Sequence, residues 1–113
     1  MITLFNNPWF LLILAGICEI GWPLGYKQAQ ASEGLQEIAW FAFSGISILL
    51  SAWLLWLAQK EIPIGTAYAV WTGIGAAGTF ALGIFIFGEQ SSLIRWMGAA
   101  MIIGGVIILK AGQ

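Results

Sequence analysis

The sequence predicts an all-α membrane protein with four transmembrane helices per subunit, assembled as an antiparallel, dual-topology homodimer. Of its 113 residues, 60% are hydrophobic and only 8% are charged, which is typical of a chain embedded in lipid rather than of a soluble domain. The apolar residues fall into four segments, each long enough to cross a bilayer. The basic residues are divided evenly between the two sides of these segments, which favours insertion in either orientation.

The four predicted spans cover residues roughly 8–29, 36–58, 63–87 and 92–110. A polar turn at 31–34 separates the first two spans, and Pro63 is expected near the start of the third, where its missing N–H is harmless. Residues 88–92 form the last break. Connections this short require the helices to alternate up and down, so residues 1–113 are expected to form a single four-helix transmembrane domain.

The distribution of Lys and Arg gives no preferred orientation. Lys60 and Lys110 lie on one side of the predicted bundle, and Lys27 and Arg95 lie on the other. Two copies inserted in opposite orientations could then pair, and four helices of this length enclose little space without a partner. The alternative is that a factor outside this count fixes a single orientation.

Glu19 is the most informative residue of the chain. It is the only charged side chain between Pro8 and Tyr26. A charge at the centre of a bilayer costs about 2.5–3.5 kcal/mol on insertion scales, so intramembrane carboxylates usually mark ion pathways. Because no Lys or Arg lies at the same depth, Glu19 is predicted to bind a mobile cation, and a proton is the simplest. The alternative is a permanently protonated side chain that is hydrogen-bonded to a neighbouring helix.

Pro23 follows Glu19 by four residues, so its nitrogen cannot donate to the Glu19 carbonyl. This predicts a kink and leaves a main-chain acceptor beside the carboxylate, which could face a cation or water. The alternative is a proline that only bends the helix.

The third span contains a glycine-rich segment and two spaced aromatic residues. Gly73 and Gly75 make residues 72–75 a candidate hinge, since glycine weakens a helix interior. Tyr68 and Trp71 lie three residues apart on one face and could stack on a planar or quaternary cation. Ordinary packing of these aromatic rings is the alternative.

Small residues also recur in the second and fourth spans. Ser44, Ser47 and Ser51 form a stripe from which one hydroxyl could orient Glu19, although serines that only bond the backbone would give the same pattern. Gly98 and Gly105 lie seven residues apart on one face and are the predicted dimer seam.

Composition excludes several other functions. The chain has no His or Asp and a single cysteine, so neither a metal site nor an intrachain disulfide is expected. Four basic residues cannot form a surface for nucleic acid. No motif indicates an enzyme or a cofactor.

Taken together, these motifs resemble those of the small multidrug resistance family, the four-helix proton antiporters of bacteria. Residues 15–19 look like the family's first-helix glutamate segment, residues 63–75 are similar to its third-helix signature, and residues 98–105 fit its dimerisation motif. The resemblance covers nearly the whole chain. Trp22 and the Gly-Glu pair at 88–89 resemble the guanidinium-exporter branch.

The resemblance implies a multi-pass, antiparallel homodimer in the bacterial plasma (inner) membrane. It would be a proton-coupled antiporter that exports guanidinium or small substituted guanidinyl cations by alternating access, with protons and cation competing for Glu19 of both subunits. The positions that match the binding site in the family are Gly16, Trp22, Ser51, Tyr68 and Trp71. By analogy, Ser51 and Trp22 would hydrogen-bond the carboxylate, and Tyr68 would help to hold and gate it.

Two other functions remain open at this point. One is a broader exporter of quaternary ammonium and other drug-like cations. The other is a non-transporting membrane subunit, or one partner of an obligate heteropair, although the even charge distribution argues against a heteropair.

Overall fold

The computed structural model describes residues 6–112, and residues 1–5 and 113 of the predicted domain lie outside this range. Within the described part of the chain, four helices are long and apolar enough to span a membrane. They are α1 (Pro8–Gln30), α2 (Leu35–Ala58), α3 (Ile64–Phe85) and α4 (Leu93–Ala111). Each observed boundary lies within two residues of its predicted position, so the prediction of four apolar helices is confirmed.

The helix ends follow from local sequence. Asn7 caps α1, because its side chain accepts a hydrogen bond from the Trp9 N–H at 2.9 Å. Ser92 caps α4 by accepting from the Arg95 N–H. Pro63 sits immediately before α3 in an extended conformation, one residue earlier than a first-turn proline would. Glycine is needed at Gly88, in the turn after α3, where φ is +65°.

The helices are arranged in the order α2, α1, α3, α4. Helix α1 packs against α2 and α3, and α4 packs against α3. The core lies where α1, α2 and α3 meet, and its fully buried side chains are small or aliphatic, as close helix packing in lipid requires. They include Leu12, Ala15, Ala58, Ala67 and Val70.

Within residues 6–112, helix α4 packs along α3, and the side chain of Lys110 reaches Trp9 of α1 at its end. Gly73 of α3 permits the packing of α4 on α3, since a Cβ there would lie 2.8 Å from Cγ2 of Val106. No residue of α4 is buried, and a Cβ on Gly98 or Gly105 would meet nothing within 4 Å. The small-residue face of α4 is therefore open in the single subunit.

Basic side chains mark both ends of the bundle. Lys110 lies over the Trp9 ring at 5.1 Å, which places the end of α4 beside the start of α1, as alternating helices require. Arg95, at the opposite end, lies over the Phe80 ring at 5.0 Å. Such cation–aromatic pairs are typical of the membrane interface.

Candidate functional site

Glu19 lies near the midpoint of α1, and its side chain is half-buried. The chain's basic residues lie in the last turns of α1 and α4, the first turn of α4 and the loop after α2. The depth assigned to Glu19 from the sequence therefore agrees with the helix boundaries. A carboxylate that lies so far from any positive side chain is available to a mobile cation.

Trp22 provides the shortest hydrogen bond to this carboxylate. Its indole Nε1 donates to Oε1 of Glu19 at 2.8 Å, one turn along the same helix. A carboxylate can accept about four hydrogen bonds, so this contact orients the group and leaves acceptor sites for a ligand.

Ser51 reaches the same group less directly. Its Oγ lies 3.4 Å from Oε2 of Glu19 but only 2.7 Å from the carbonyl of Ala15. A hydroxyl has one proton to donate, and the shorter contact assigns it to Ala15. The main role of Ser51 is therefore to join α2 to α1 through the Ala15 carbonyl. Its hydroxyl also lies close to Glu19.

Two aromatic residues of α3 continue the network. Trp71 donates from Nε1 to Oγ of Ser51 at 2.8 Å, which fixes the position of that hydroxyl. The Tyr68 ring packs on Trp71 with a centroid separation of 5.5 Å and is 57% exposed. The structure thus brings Trp22 and Ser51 to Glu19, links Trp71 through Ser51, and places Tyr68 beside Trp71 rather than against the carboxylate.

Glycines let α1 approach α3 closely at this level. A Cβ on Gly16 would lie 2.8 Å from Cβ of Ile74, and a Cβ on Gly75 would lie 2.6 Å from Cγ of Glu19. These distances are shorter than real side chains allow, so Glu19 rests directly on the α3 backbone. Helix α3 is continuous through residues 72–75, and the hinge there stays a prediction.

The serine stripe of α2 divides into different roles. Ser44 donates from Oγ to the carbonyl of Trp22 at 2.8 Å and is buried, which is the backbone-bonding role that the sequence left open. Ser47 lies against Gly21. Among the three serines in the described part of the chain, Ser51 alone places its hydroxyl near the Glu19 carboxylate, 3.4 Å from Oε2.

Glu19 lines a cavity of about 270 Å³, many times the roughly 30 Å³ that a water occupies in the liquid. Among the described residues that form its wall, Glu19 is the only charged one. The others are Pro23, Thr72, Gly75, Ala76 and Thr79. No group of three His, Cys, Asp or Glu side chains gathers anywhere in residues 6–112.

A second cavity, of about 400 Å³, continues from the first. The two share Pro23, Ala76 and Thr79, and the second extends to the end of the bundle that carries Lys27 and Arg95. The second pocket therefore lies between the pocket around Glu19 and that end of the bundle.

Sequence reasoning missed Thr79 and Ala76 as cavity residues and placed Thr72 only in the hinge. The signal was present, because residues 72, 75, 76 and 79 recur at helical spacing and share one face of α3. It could be recognised only once Gly75 was known to contact Glu19.

The family model described as Small Multidrug Resistance protein matches residues 7–102. The chain belongs to this family. The match includes Glu19, the α3 signature and Gly98, whereas Gly105 lies beyond it. Membership makes this small multidrug resistance protein a multi-pass membrane transporter and not an enzyme, and it confirms the resemblance seen in the sequence.

Curated relatives within the small multidrug resistance family are named guanidinium exporters. The chain is 42% identical over 102 residues to the guanidinium exporter of Yersinia pseudotuberculosis, a match that covers 90% of this chain and 95% of the relative. The corresponding protein of Proteus vulgaris is 40% identical over the same shares. That of Escherichia coli K12 is 38% identical over 90% of this chain and 94% of its own length.

Proposed function

We propose that this protein exports guanidinium and small substituted guanidinyl cations in exchange for protons. The observation that carries the proposal is the Glu19 carboxylate, which lies near the midpoint of a helix long enough to span a membrane and is the sole charged wall residue, among those described, of a 270 Å³ cavity. The relatives named guanidinium exporters supply the cation.

The chemistry follows from the two states of one carboxyl group. A planar guanidinium offers paired N–H donors that match the two oxygens of a carboxylate, so the ionised side chain binds it strongly. A proton neutralises the same oxygens. Because either ligand removes the cost of a bare charge in the bilayer, and because both need the same atoms, binding of one expels the other. Proton entry then drives cation export.

The other site residues support Glu19. Trp22 holds Oε1, and Trp71 holds Ser51 within reach of Oε2. Gly16 and Gly75 let the carboxylate lie against α3. We assign Tyr68, which is exposed next to Trp71, to closing the pocket over the cation.

The functional unit in this proposal is an antiparallel homodimer in the bacterial plasma (inner) membrane. The open Gly98–Gly105 face of α4 supports a seam between copies, and the even distribution of Lys and Arg supports opposite orientations. Two inverted subunits would bring both Glu19 side chains to one central pocket. Exchange of the two subunit conformations, with bending at Gly73 and Gly75, would then expose that pocket to each side in turn.

Transport by purified protein in proteoliposomes tests the proposal. Guanidinium should evoke proton currents on a solid-supported membrane, and its apparent KM should rise as pH falls, because protons compete for the same oxygens. Glu19→Gln should abolish these currents while leaving the dimer intact in size-exclusion chromatography.

Glu61→Gln serves as the matched control. Glu61 is an exposed carboxylate in the loop after α2 and lines neither cavity. Normal currents in Glu19→Gln, or equal losses in both variants, would contradict the mechanism. A wild-type chain that transports nothing when reconstituted alone would favour a non-transporting subunit or a heteropair.

A broader cation exporter is the second candidate. The exposed Tyr68 and Trp71 pair could hold a quaternary ammonium ion, which aromatic faces attract. Currents evoked by tetramethylammonium as large as those evoked by guanidinium would support this function.

A further inference from the structure

We propose that Thr79, together with the Glu19 main-chain carbonyl released by Pro23, forms a second set of hydrogen-bond partners that selects the cation. The inference rests on the proposed binding of the cation at Glu19. It names the preferred substrate as a singly charged guanidinyl compound whose N–H donors point in several directions and whose substituent, if present, is uncharged.

The first partner is created by Pro23. In a helix, the carbonyl of Glu19 would accept from the N–H four residues later, and proline has none. Both residues line the 270 Å³ cavity. Glu19, a lining residue of this pocket, therefore carries a main-chain acceptor that lacks its usual helical donor, in addition to its carboxylate.

The second partner is the hydroxyl of Thr79. Gly75 contacts the Glu19 side chain, and Thr79 follows it by four residues on the same face of α3, about 6 Å further along the axis. Thr79 is half-buried, and its hydroxyl donates or accepts no hydrogen bond among residues 6–112. An unengaged hydroxyl in a cavity wall is free to accept from a ligand.

These acceptors match what a guanidinium presents. The carboxylate can satisfy the paired N–H groups along one edge of the ion, which leaves donors on its other edges. Donors buried without acceptors weaken binding, so a site that supplies acceptors beyond the carboxylate favours N–H-rich cations. A quaternary ammonium ion has no N–H group, so the additional acceptors do not strengthen its binding.

The neighbouring cavity sets the limit on substituents. It shares Thr79 as a lining residue with the first cavity, so a group attached to the guanidinium nitrogen nearest Thr79 would lie beside it. The far end is lined by Lys27 and Arg95 with one acidic residue, Glu89, and has an excess of positive charge. A second positive charge on the substrate is therefore disfavoured there.

The test compares Thr79→Val, which removes the hydroxyl at nearly constant shape, with Thr66→Val on the same helix. Thr66 lines neither cavity. In proteoliposomes, Thr79→Val should raise the guanidinium KM on the order of five- to tenfold with little change in kcat, as expected for one lost hydrogen bond. Thr79→Ser should restore the wild-type KM, and Thr66→Val should not change it.

Two further measurements separate selection from a structural effect. The current evoked by tetramethylammonium should be the same in Thr79→Val and wild type. The pH at which protons inhibit guanidinium transport by half should also be the same, when it is measured at the same fractional saturation with guanidinium. Pro23→Ala, which restores the N–H, should also raise the guanidinium KM.

An unchanged guanidinium KM in Thr79→Val would overturn the inference, as would a rise that Thr79→Ser fails to reverse or one that affects both cations equally. None of these results would affect the proposed function. That proposal fails instead if the wild-type protein gives no guanidinium current, or if Glu19→Gln transports normally.

Discussion

At the scale of single residues, the contact between Gly75 and Glu19 decides where the carboxylate can be. Glycine at this position leaves no Cβ, and the Glu19 side chain occupies the space that a Cβ would fill. The carboxylate is therefore fixed between the α3 backbone on one side and the indole of Trp22 on another. Its position depends on an absent side chain as much as on a hydrogen bond.

Gly75→Ala should therefore impair transport. The added methyl would lie 2.6 Å from Cγ of Glu19, and overpacking of this kind typically costs about 1–3 kcal/mol or displaces the neighbouring side chain. We expect loss of most guanidinium current and a lower midpoint of thermal unfolding in detergent.

Gly65→Ala is the control on the same helix. A Cβ there meets nothing within 4 Å, and alanine is favoured over glycine in a helix by up to about 1 kcal/mol. This variant should transport normally and be at least as stable as wild type. If both alanine variants behave alike, the contact with Glu19 does not position the carboxylate.

At the scale of helices, α4 differs from the other three because it has no buried residue in the single subunit. Gly98→Val and Gly105→Leu introduce side chains into open space, so neither creates a clash within the subunit. A clash within the chain therefore cannot account for a change in assembly. We expect both to weaken the dimer in cross-linking and size-exclusion measurements.

Ala100→Val provides the comparison for these variants. Ala100 is also exposed on α4 but lies about 200° around the helix from Gly98. It should leave the dimer unchanged. A dimer that tolerates both glycine variants would remove the Gly98–Gly105 face as its seam.

The helices could be predicted because long apolar runs, caps and turn residues are local signals. Asn7, Pro63 and Gly88 mark boundaries through their own chemistry. The direction of the Ser51 hydroxyl could not be predicted, because it depends on how closely α2 approaches the Ala15 carbonyl of α1.

Apart from the family resemblance, the candidate site was predicted only where its residues lie close together in the sequence. Trp22 was assigned to the Glu19 carboxylate by analogy, and the two residues lie three apart on one helix, where such a contact forms readily. Thr79 was missed, because its place in the cavity wall depends on the packing of α3 against α1, which the sequence does not show. Tyr68 was assigned to the carboxylate by analogy, and in the subunit it packs on Trp71.

At the scale of the whole molecule, the even division of basic residues makes orientation easy to bias. Adding Lys at positions 59 and 112 should fix one orientation, because both lie on the side of Lys60 and Lys110. Adding Lys at positions 30 and 91 should fix the other.

Each biased variant should confer little guanidinium export when expressed alone, and coexpression of the two should restore it. Accessibility of single cysteines to a membrane-impermeant reagent checks the orientation of each variant. Full export by one biased variant alone would contradict an antiparallel pair.

Gly73 and Gly75 lie on nearly opposite sides of α3, one beneath Val106 of α4 and the other beneath Glu19 of α1. The two contacts are therefore separated only by the backbone of helix α3. A sliding movement of α4 along α3 would therefore act on Glu19 through the α3 backbone. The core around the fully buried Leu12 and Val70 would not have to rearrange first. Helix α3 thus provides a short connection between the helix proposed to contact a second copy and the carboxylate proposed to exchange a proton for a solute.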